Sequence, residues 1–296
     1  MRIAIAGSSG LIGTELVTAL RADGHEVLRL VRRPAKATTE VQWNPTTGEI
    51  DLTALAGTEV FINLAGAGVG DHRWTDSYKA TILNSRVETT QTISRAAVQI
   101  EAKTLINASA IGWYGDTGAN EVDETAPAGQ GFLADVVVAW EKAADEARAA
   151  GIRVVHPRTG LVASNRGGAW AKMIPLFKIG LGGRMGTGKQ YWSFISMRDE
   201  IAAFKFVIAN ENISGPVNFT APHPATNAEI TQAMAKTYKR PAFLNVPEFA
   251  LKALLGEFSQ EVLGSSRVIP KVLTTAGFSF SDPDAASAMA TLVSKG

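Results

Sequence analysis

The stretch RIAIAGSSGLIG, residues 2–13, constrains this chain more than any other. A short apolar run of Ile and Ala ends at Gly7 and leads at once into LIGTELVTALRADG, whose apolar residues fall near helical spacing and stop at Gly24. Glycines stand at 7, 10 and 13. The spacing has a physical reading. Gly7 permits a tight turn, Gly10 lets backbone approach a pyrophosphate, and Gly13 lets the helix pack against the strand. The helix start adds free N–H groups and the positive end of its dipole. Gly7, Ser9, Gly10, Leu11, Ile12 and Gly13 are therefore the expected seat of a dinucleotide's phosphates.

The pattern that follows extends this start. HEVLRLV, VFINLAG (60–66), TLINASA (104–110) and RVVHPR (153–158) read as strands. SYKATILNSRVETTQTISRAAVQ and DVVVAWEKAADEARAAG read as helices between them, the second with Val136, Val137, Trp140, Ala143 and Ala144 as an apolar stripe and Glu141 on the polar side. The alternation predicts an α/β fold, a Rossmann-like doubly wound parallel sheet with helices on both faces. After about residue 160, Gly and Pro become dense, and AWAKMIPLFKIG and TNAEITQAMAKTYKR look helical without regular strands between. Ser196 and Asp199 have capping-box spacing, which starts a helix near 197. GPVNFTA (215–221) looks like one more strand. The expected organisation is a nucleotide-binding domain of residues 1–160 plus about 197–221. A smaller, mostly helical C-terminal substrate lobe takes 161–196 plus 222–296.

Composition narrows the functional classes. Lys and Arg number 29 against 28 Asp and Glu, a formal net charge of +1, which gives no electrostatic footprint for nucleic acid. There are no cysteines, so disulfide scaffolds, thiol nucleophiles and Cys-ligated metals are excluded. The four histidines, at 25, 72, 156 and 223, are far apart and suggest no metal site. No apolar run approaches the roughly 20 residues that span a bilayer. A cytoplasmic protein acting on a small molecule, with no membrane partner, is expected.

The second strand ends in LVRRPAK. An acidic residue there would hold a ribose 2′-OH, whereas Arg32 and Arg33 suit a 2′-phosphate. NADP(H) is expected over NAD(H). A second phosphate motif needs judging as well. Gly183, Gly188 and Lys189 in GLGGRMGTGKQYW spell G-x-x-x-x-G-K, with Gln190 in place of the Ser or Thr that would bind Mg²⁺. A helical pattern precedes this stretch and a strand-like YWSFIS follows it, the reverse of a P-loop's context.

On GSSGLIG, NLAG (63–66), SAIGWYGD (109–116) and GTGKQYWSFISMRDE (186–200), the chain resembles the extended short-chain dehydrogenase/reductase family over nearly its whole length. RWTDSYKATILNSRVETT, GGAWAKMIPLFKIGLGG, and VPEFALKALLGE with RVIPKVLTTAGFSF resemble an atypical subgroup labelled epimerase family proteins, which carry an NAD-dependent epimerase/dehydratase-like domain and a C-terminal domain of their own. The resemblance implies NADP(H) binding, with Leu64, Ala65 and Gly66 lining the cofactor ribose by backbone contact and the segment of Pro157 and Arg158 near the nicotinamide. It also implies that residues 180–192 form a Gly-rich loop and short strand over the substrate, with Lys189, Gln190 and Trp192 as contacts. Trp113, Trp170 and Trp192 fall in segments expected to face the same cleft, with hydrophobic core as the alternative reading for each.

That family moves its proton with Tyr and Lys spaced Y-x-x-x-K on one helix face. Here the tyrosines are 78, 114, 191 and 238, and four residues after them come Ile82, Gly118, Ile195 and Ala242. Phe132 and Val136 take the corresponding positions. The family's Ser would fall at Ala110, with Ser109 adjacent. Ser109 and Tyr114 are the remaining protic candidates for catalysis. The expected function is that of an oxidoreductase or epimerase on a small carbonyl, hydroxyl or sugar-nucleotide substrate, working by a non-standard acid/base set. The alternative is an NADP(H)-binding sensor or interaction protein without turnover.

Overall fold

The structure is a computed structural model and describes residues 1–293. Seven parallel strands run through the main sheet in the order Glu40–Asn44, Glu26–Val31, Arg2–Ala6, Val60–Asn63, Thr104–Asn107, Arg153–Thr159, Gly215–Phe219, and the two-residue strands Glu49–Ile50 and Ser109–Ala110 bring it to nine. The chain order reverses beside Arg2–Ala6. Crossovers run to one side for the first three strands and to the other for the rest, which opens a crevice at the carboxyl ends of Arg2–Ala6 and Val60–Asn63. This is the Rossmann-like, doubly wound sheet that the alternating pattern predicts.

Alternate residues feed two cores. Ile3 and Ile5 point to the face covered by the Leu11–Ala22 and Met197–Ala209 helices, through Leu16, Val17, Leu20, Phe204 and Val207. Ala4 and Ala6 point to the face covered by the Asp76–Gln99 and Asp145–Ala149 helices, through Ile93, Ala96, Ala97 and Ala147. Both faces being covered explains why the strands read as continuous apolar runs. A third core, around Trp170, Phe177, Trp192, Ile230, Met234 and Met289, belongs to the later part of the chain. Among the described residues, no helix is long and apolar enough to cross a membrane.

Several local readings meet the structure directly. Ser196 caps the Met197–Ala209 helix, its hydroxyl accepting from the Asp199 N–H at 3.1 Å. DVVVAWEKAADEARAAG does not form one helix. It forms Phe132–Lys142 and Asp145–Ala149, with a break between them. The strand Glu40–Asn44 escaped notice because its apolar residues, Val41 and Trp43, alternate with polar ones inside a polar stretch. The G-x-x-x-x-G-K look-alike is not a strand–turn–helix unit. Gly183–Met185 pairs with Leu244–Val246, Tyr191–Trp192 pairs with Ala225–Thr226, and the next helix starts only at Met197.

The first turn is closed tightly. Gly7 has φ +72°, and a Cβ there would lie 2.6 Å from the Leu64 carbonyl carbon. A Cβ on Gly13 would lie 2.2 Å from the Gly7 oxygen. Gly7→Ala therefore meets both backbone strain and a backbone clash, and should cost about 3 kcal/mol. Urea unfolding checks this; a loss under about 0.5 kcal/mol would show that the turn relaxes freely.

Candidate functional site

The turn leaves donors free. Gly10 caps the Leu11–Ala22 helix without a side-chain hydrogen bond, and the ladder starts with Thr14 N–H to Gly10 C=O at 3.0 Å. Among the described residues, the N–H groups of Leu11, Ile12 and Gly13 have no protein acceptor. Ser9 and Gly10 are exposed, and the only atom near a Cβ on Gly10 would be the Gly7 oxygen, at 3.2 Å. Three orphan donors at a bare helix start fit a pyrophosphate.

The neighbouring strand end is rigid. Leu64 N–H donates to Ala6 C=O at 3.0 Å and Ala65 N–H to the Asn63 side-chain oxygen at 3.1 Å. The Asn63 side-chain amide donates to Asn107 Oδ1 at 2.8 Å and to Thr90 at 3.1 Å, and Thr90 donates to Asn107 at 2.9 Å. Leu64, Ala65 and Gly66 thus present backbone beside the turn, held by a buried polar cluster that the sequence alone did not suggest.

The arginine pair divides its labour. Arg33 holds Glu40 in a two-pronged ion pair, Nη1 to Oε2 at 2.8 Å and Nη2 to Oε1 at 2.7 Å, and Arg29 joins at 2.6 Å. Hydrogen bonds from Arg33 and then from the Lys36 N–H hold the Glu40 carboxyl down at about 2. Arg33 is thus committed to the protein. Arg32 is exposed and has no partner among the described residues. Register pairs Leu30 with Ala6, so Arg32, two residues further on, lies level with the glycine turn.

The two protic candidates are not free for proton transfer. The Ser109 hydroxyl is buried and donates to Glu141 Oε1 at 2.6 Å. The same carboxylate takes Arg158 Nε at 2.8 Å and Nη2 at 3.0 Å, while Arg158 Nη1 donates to the Tyr114 hydroxyl at 3.1 Å. Tyr114 in turn donates to Asn218 Oδ1 at 2.7 Å. Burial pushes its hydroxyl up to about 12 despite the adjacent Arg158. Both hydroxyls expected as acid/base groups are thus engaged by protein partners, Ser109 by Glu141 and Tyr114 by Arg158 and Asn218. Glu141, read from the sequence as a polar-face residue, is the centre of the network. The signal that could have found it was the unusual Arg158 in the last residues of a buried strand.

Pro157 is buried within the Arg153–Thr159 strand, where the ladder changes partner between Ile106–Val155 and Ser109–Arg158. The accessible backbone at this strand end belongs to Thr159, Gly160 and Leu161. Trp113 is half-buried; its indole donates to Ala126 C=O at 3.2 Å and its ring stacks on the Arg158 guanidinium at 3.9 Å. Gln190 and Trp192 are buried, and both donate to the Val262 carbonyl, at 3.5 and 3.2 Å. Trp170 is fully buried against Trp192. These three side chains are packed inside the later part of the chain, which is the core reading for the two tryptophans, while Lys189 is exposed.

An apolar roof stands where the family places its tyrosine. Trp74 packs edge-on against Phe132 with centroids 4.9 Å apart, and Phe258 packs on Trp74 at 5.5 Å. Lys79 lies over the Phe132 ring at 5.3 Å and pairs with Glu257. Lys172 donates to Gly70 C=O at 2.9 Å, so the 66–75 loop is tied to the later lobe from two sides. At the Arg153–Thr159 strand end, Glu200 accepts from the Thr159 hydroxyl at 3.0 Å. Burial pushes its carboxyl up to about 8, so it is neutral in the fold at pH 7.

Two outcomes follow from these buried groups. Arg158→Met leaves Glu141 buried and unpaired, and should cost about 3–5 kcal/mol in urea unfolding; Arg158→Met with Glu141→Leu should recover most of that loss. A double variant as unstable as the single one would mean that the pair itself, not the orphaned charge, carries the energy. Glu200 binds its proton more tightly folded than unfolded, so its contribution is complete below its ordinary value of 4.5 and fades as pH rises towards 8. Between pH 5 and 8 the unmodified protein should lose about 3 kcal/mol relative to Glu200→Gln. Parallel stability curves for the two would mean that the carboxyl ionises without penalty.

Comparison with known proteins agrees with this geometry. The model of the NAD dependent epimerase/dehydratase family matches residues 3–219, and that of a domain of unknown function, DUF1731, matches residues 246–292. Epimerase family protein Mb2239 of Mycobacterium bovis is 48% identical over 94% of this chain and 93% of its own. A crystal structure of human epimerase family protein SDR39U1 (isoform 2) with NADPH superposes with a TM-score of 0.88 at 29% identity, covering 99% of both chains. A nucleoside-diphosphate sugar epimerase from Corynebacterium glutamicum superposes at 0.82 with 34% identity, over 98% of this chain and 57% of that one. The chain therefore belongs to the NAD-dependent epimerase/dehydratase family and is a relative of the epimerase family proteins within it.

Proposed function

We propose that this chain is an NADP(H)-dependent oxidoreductase or epimerase acting on a small carbonyl or hydroxyl compound, with sugar nucleotides as the leading substrate class. One observation carries the cofactor half of the reading: three unpaired N–H groups at Leu11, Ile12 and Gly13 stand level with Arg32, a cation left free while Arg33 is bound to Glu40. The donors would take the pyrophosphate and Arg32 the 2′-phosphate, with the Leu64–Gly66 backbone along the ribose. The NADPH in the human relative's structure and the sugar-epimerase name of the Corynebacterium relative support the two halves.

Bound there, the nicotinamide would supply hydride exchange. The chain's own part is to seat it and to close the cleft. Phe132 under Trp74 excludes water from the position of the family's acid, and Val136 has no hydrogen bond to offer. The substrate lobe is proposed to comprise 161–196 and 222–296, with exposed Lys189 as the remaining substrate contact of its glycine loop. Proton movement on the substrate would proceed without Ser109 or Tyr114.

Fluorescence titration tests the cofactor reading. The unmodified protein should bind NADPH at least about tenfold more tightly than NADH, and Arg32→Ala should remove most of that preference while leaving NADH unchanged. Equal binding of the two by the unmodified protein overturns the NADP(H) assignment. A carbonyl and sugar-nucleotide screen read by NADPH absorbance tests turnover. Tight binding with no turnover on any substrate would replace the enzyme reading with that of an NADP(H)-binding sensor.

A further inference from the structure

Arg86 stands out among the cations of the molecule. It lies on the Asp76–Gln99 helix, and its Nη1 donates to Ala67 C=O and Ile82 C=O, both at 2.9 Å. Its side chain covers Gly66 so closely that a Cβ there would lie 3.2 Å from Arg86 Cγ. Among the described residues, no carboxylate lies within 4 Å of the guanidinium, so it is a partly buried charge without a counter-ion. Burial lowers it only to about 10, which leaves it cationic at neutral pH. Among the described residues Nε and Nη2 have no acceptor, and neither is sealed from solvent. Three N–H donors therefore remain to be satisfied.

The location gives these donors a purpose. Residues 64–67 begin against the glycine turn, where Leu64 closes on Gly7, and end under Arg86. On the other side, the guanidinium lies over the Trp140 ring at 5.0 Å. Trp140, Val136 and Phe132 share one face of the Phe132–Lys142 helix at four-residue spacing. Across from that face, Lys79 and Arg86, seven residues apart, share one face of the Asp76–Gln99 helix, with Lys79 over Phe132 and Arg86 over Trp140. Lys79 is already paired with Glu257. Arg86 is the unpaired cation facing the helix on which the family's lysine is missing.

We propose that Arg86 is the cationic donor for the nicotinamide-ribose half of the dinucleotide, delivered from the opposite helix in place of the lysine absent at Val136. The inference rests on the dinucleotide reading above and goes beyond it by assigning the ribose hydroxyls to this side chain. It is a binding and positioning role. Two carbonyls lock one edge of the guanidinium, so the other edge is aimed before any ligand arrives, which keeps the ordering cost of binding low.

Two probes on the full chain separate the possibilities. NADPH reaches both halves of the site, whereas adenosine 2′,5′-bisphosphate reaches only the adenine half. Arg86→Met should raise the Kd for NADPH about tenfold and leave that for the bisphosphate within about twofold. Arg86→Lys, which keeps the charge, should recover part of the NADPH affinity. Arg32→Ala should weaken both ligands. An Arg86→Met variant that weakens both ligands equally, or neither, overturns the proposal, the first result marking Arg86 as a scaffold residue. Failure of the unmodified protein to bind NADPH or the bisphosphate overturns the dinucleotide reading itself, a different and recognisable result.

Discussion

The buried ion pair between Arg158 and Glu141 is the constraint on which the arrangement of the site depends. Arg158 is the penultimate residue of the Arg153–Thr159 strand and Glu141 lies near the end of the Phe132–Lys142 helix. Joined by two hydrogen bonds, they fix how far that helix advances past the sheet. Burial alone would lower the Arg158 pKa, but hydrogen bonds and charge from Glu141 together with Tyr114 outweigh it and raise the pKa. Polar groups nearby help to satisfy the pair: Ser109 takes a lone pair of Glu141, Tyr114 takes a donor of Arg158, and Trp113 covers the guanidinium.

That solution has a chemical consequence. The Ser109 hydroxyl is given to the Glu141 carboxylate. The helix that carries Phe132 and Val136 turns this face toward aromatic rings and cations of other segments. A cofactor seat can be kept while the proton path beside it is replaced, because the first depends on backbone N–H groups and the second on particular side chains.

The sequence was legible where backbone conformation and periodicity decide the outcome. Gly7 and Gly13 announce the turn because a Cβ at either would clash with backbone, and strand–helix alternation announces the sheet. Ser196 announces its helix through a local hydrogen bond. It was illegible where distant side chains meet. Nothing adjacent to Glu141 says that it faces Arg158, and nothing near Arg33 says that Glu40 will claim it while Arg32 stays free. Gln190 and Trp192 were misplaced for a related reason. A loop rich in glycine resembles a mobile ligand loop, but here its polar side chains turn inward to a carbonyl of a segment 70 residues away and more.

The reach of the Tyr114–Asn218 bond also bears on how the molecule assembles. It joins residues 104 apart in sequence, and the Asn218 strand is held in turn by Glu124, which also accepts from Val272, 148 residues distant. Asn218 donates onward to Ile269 C=O. Six of the seven parallel strands leave the ribosome before the last one exists, and Ile269 and Val272, which complete the hydrogen bonds around that last strand, are made later still. Contacts of such long sequence separation form after local ones, because loop closure must precede their reward. The phosphate turn is thus among the first parts of the crevice to take shape, and the far wall closes only when the C-terminal segment docks. A nascent chain holds half a site for much of its synthesis.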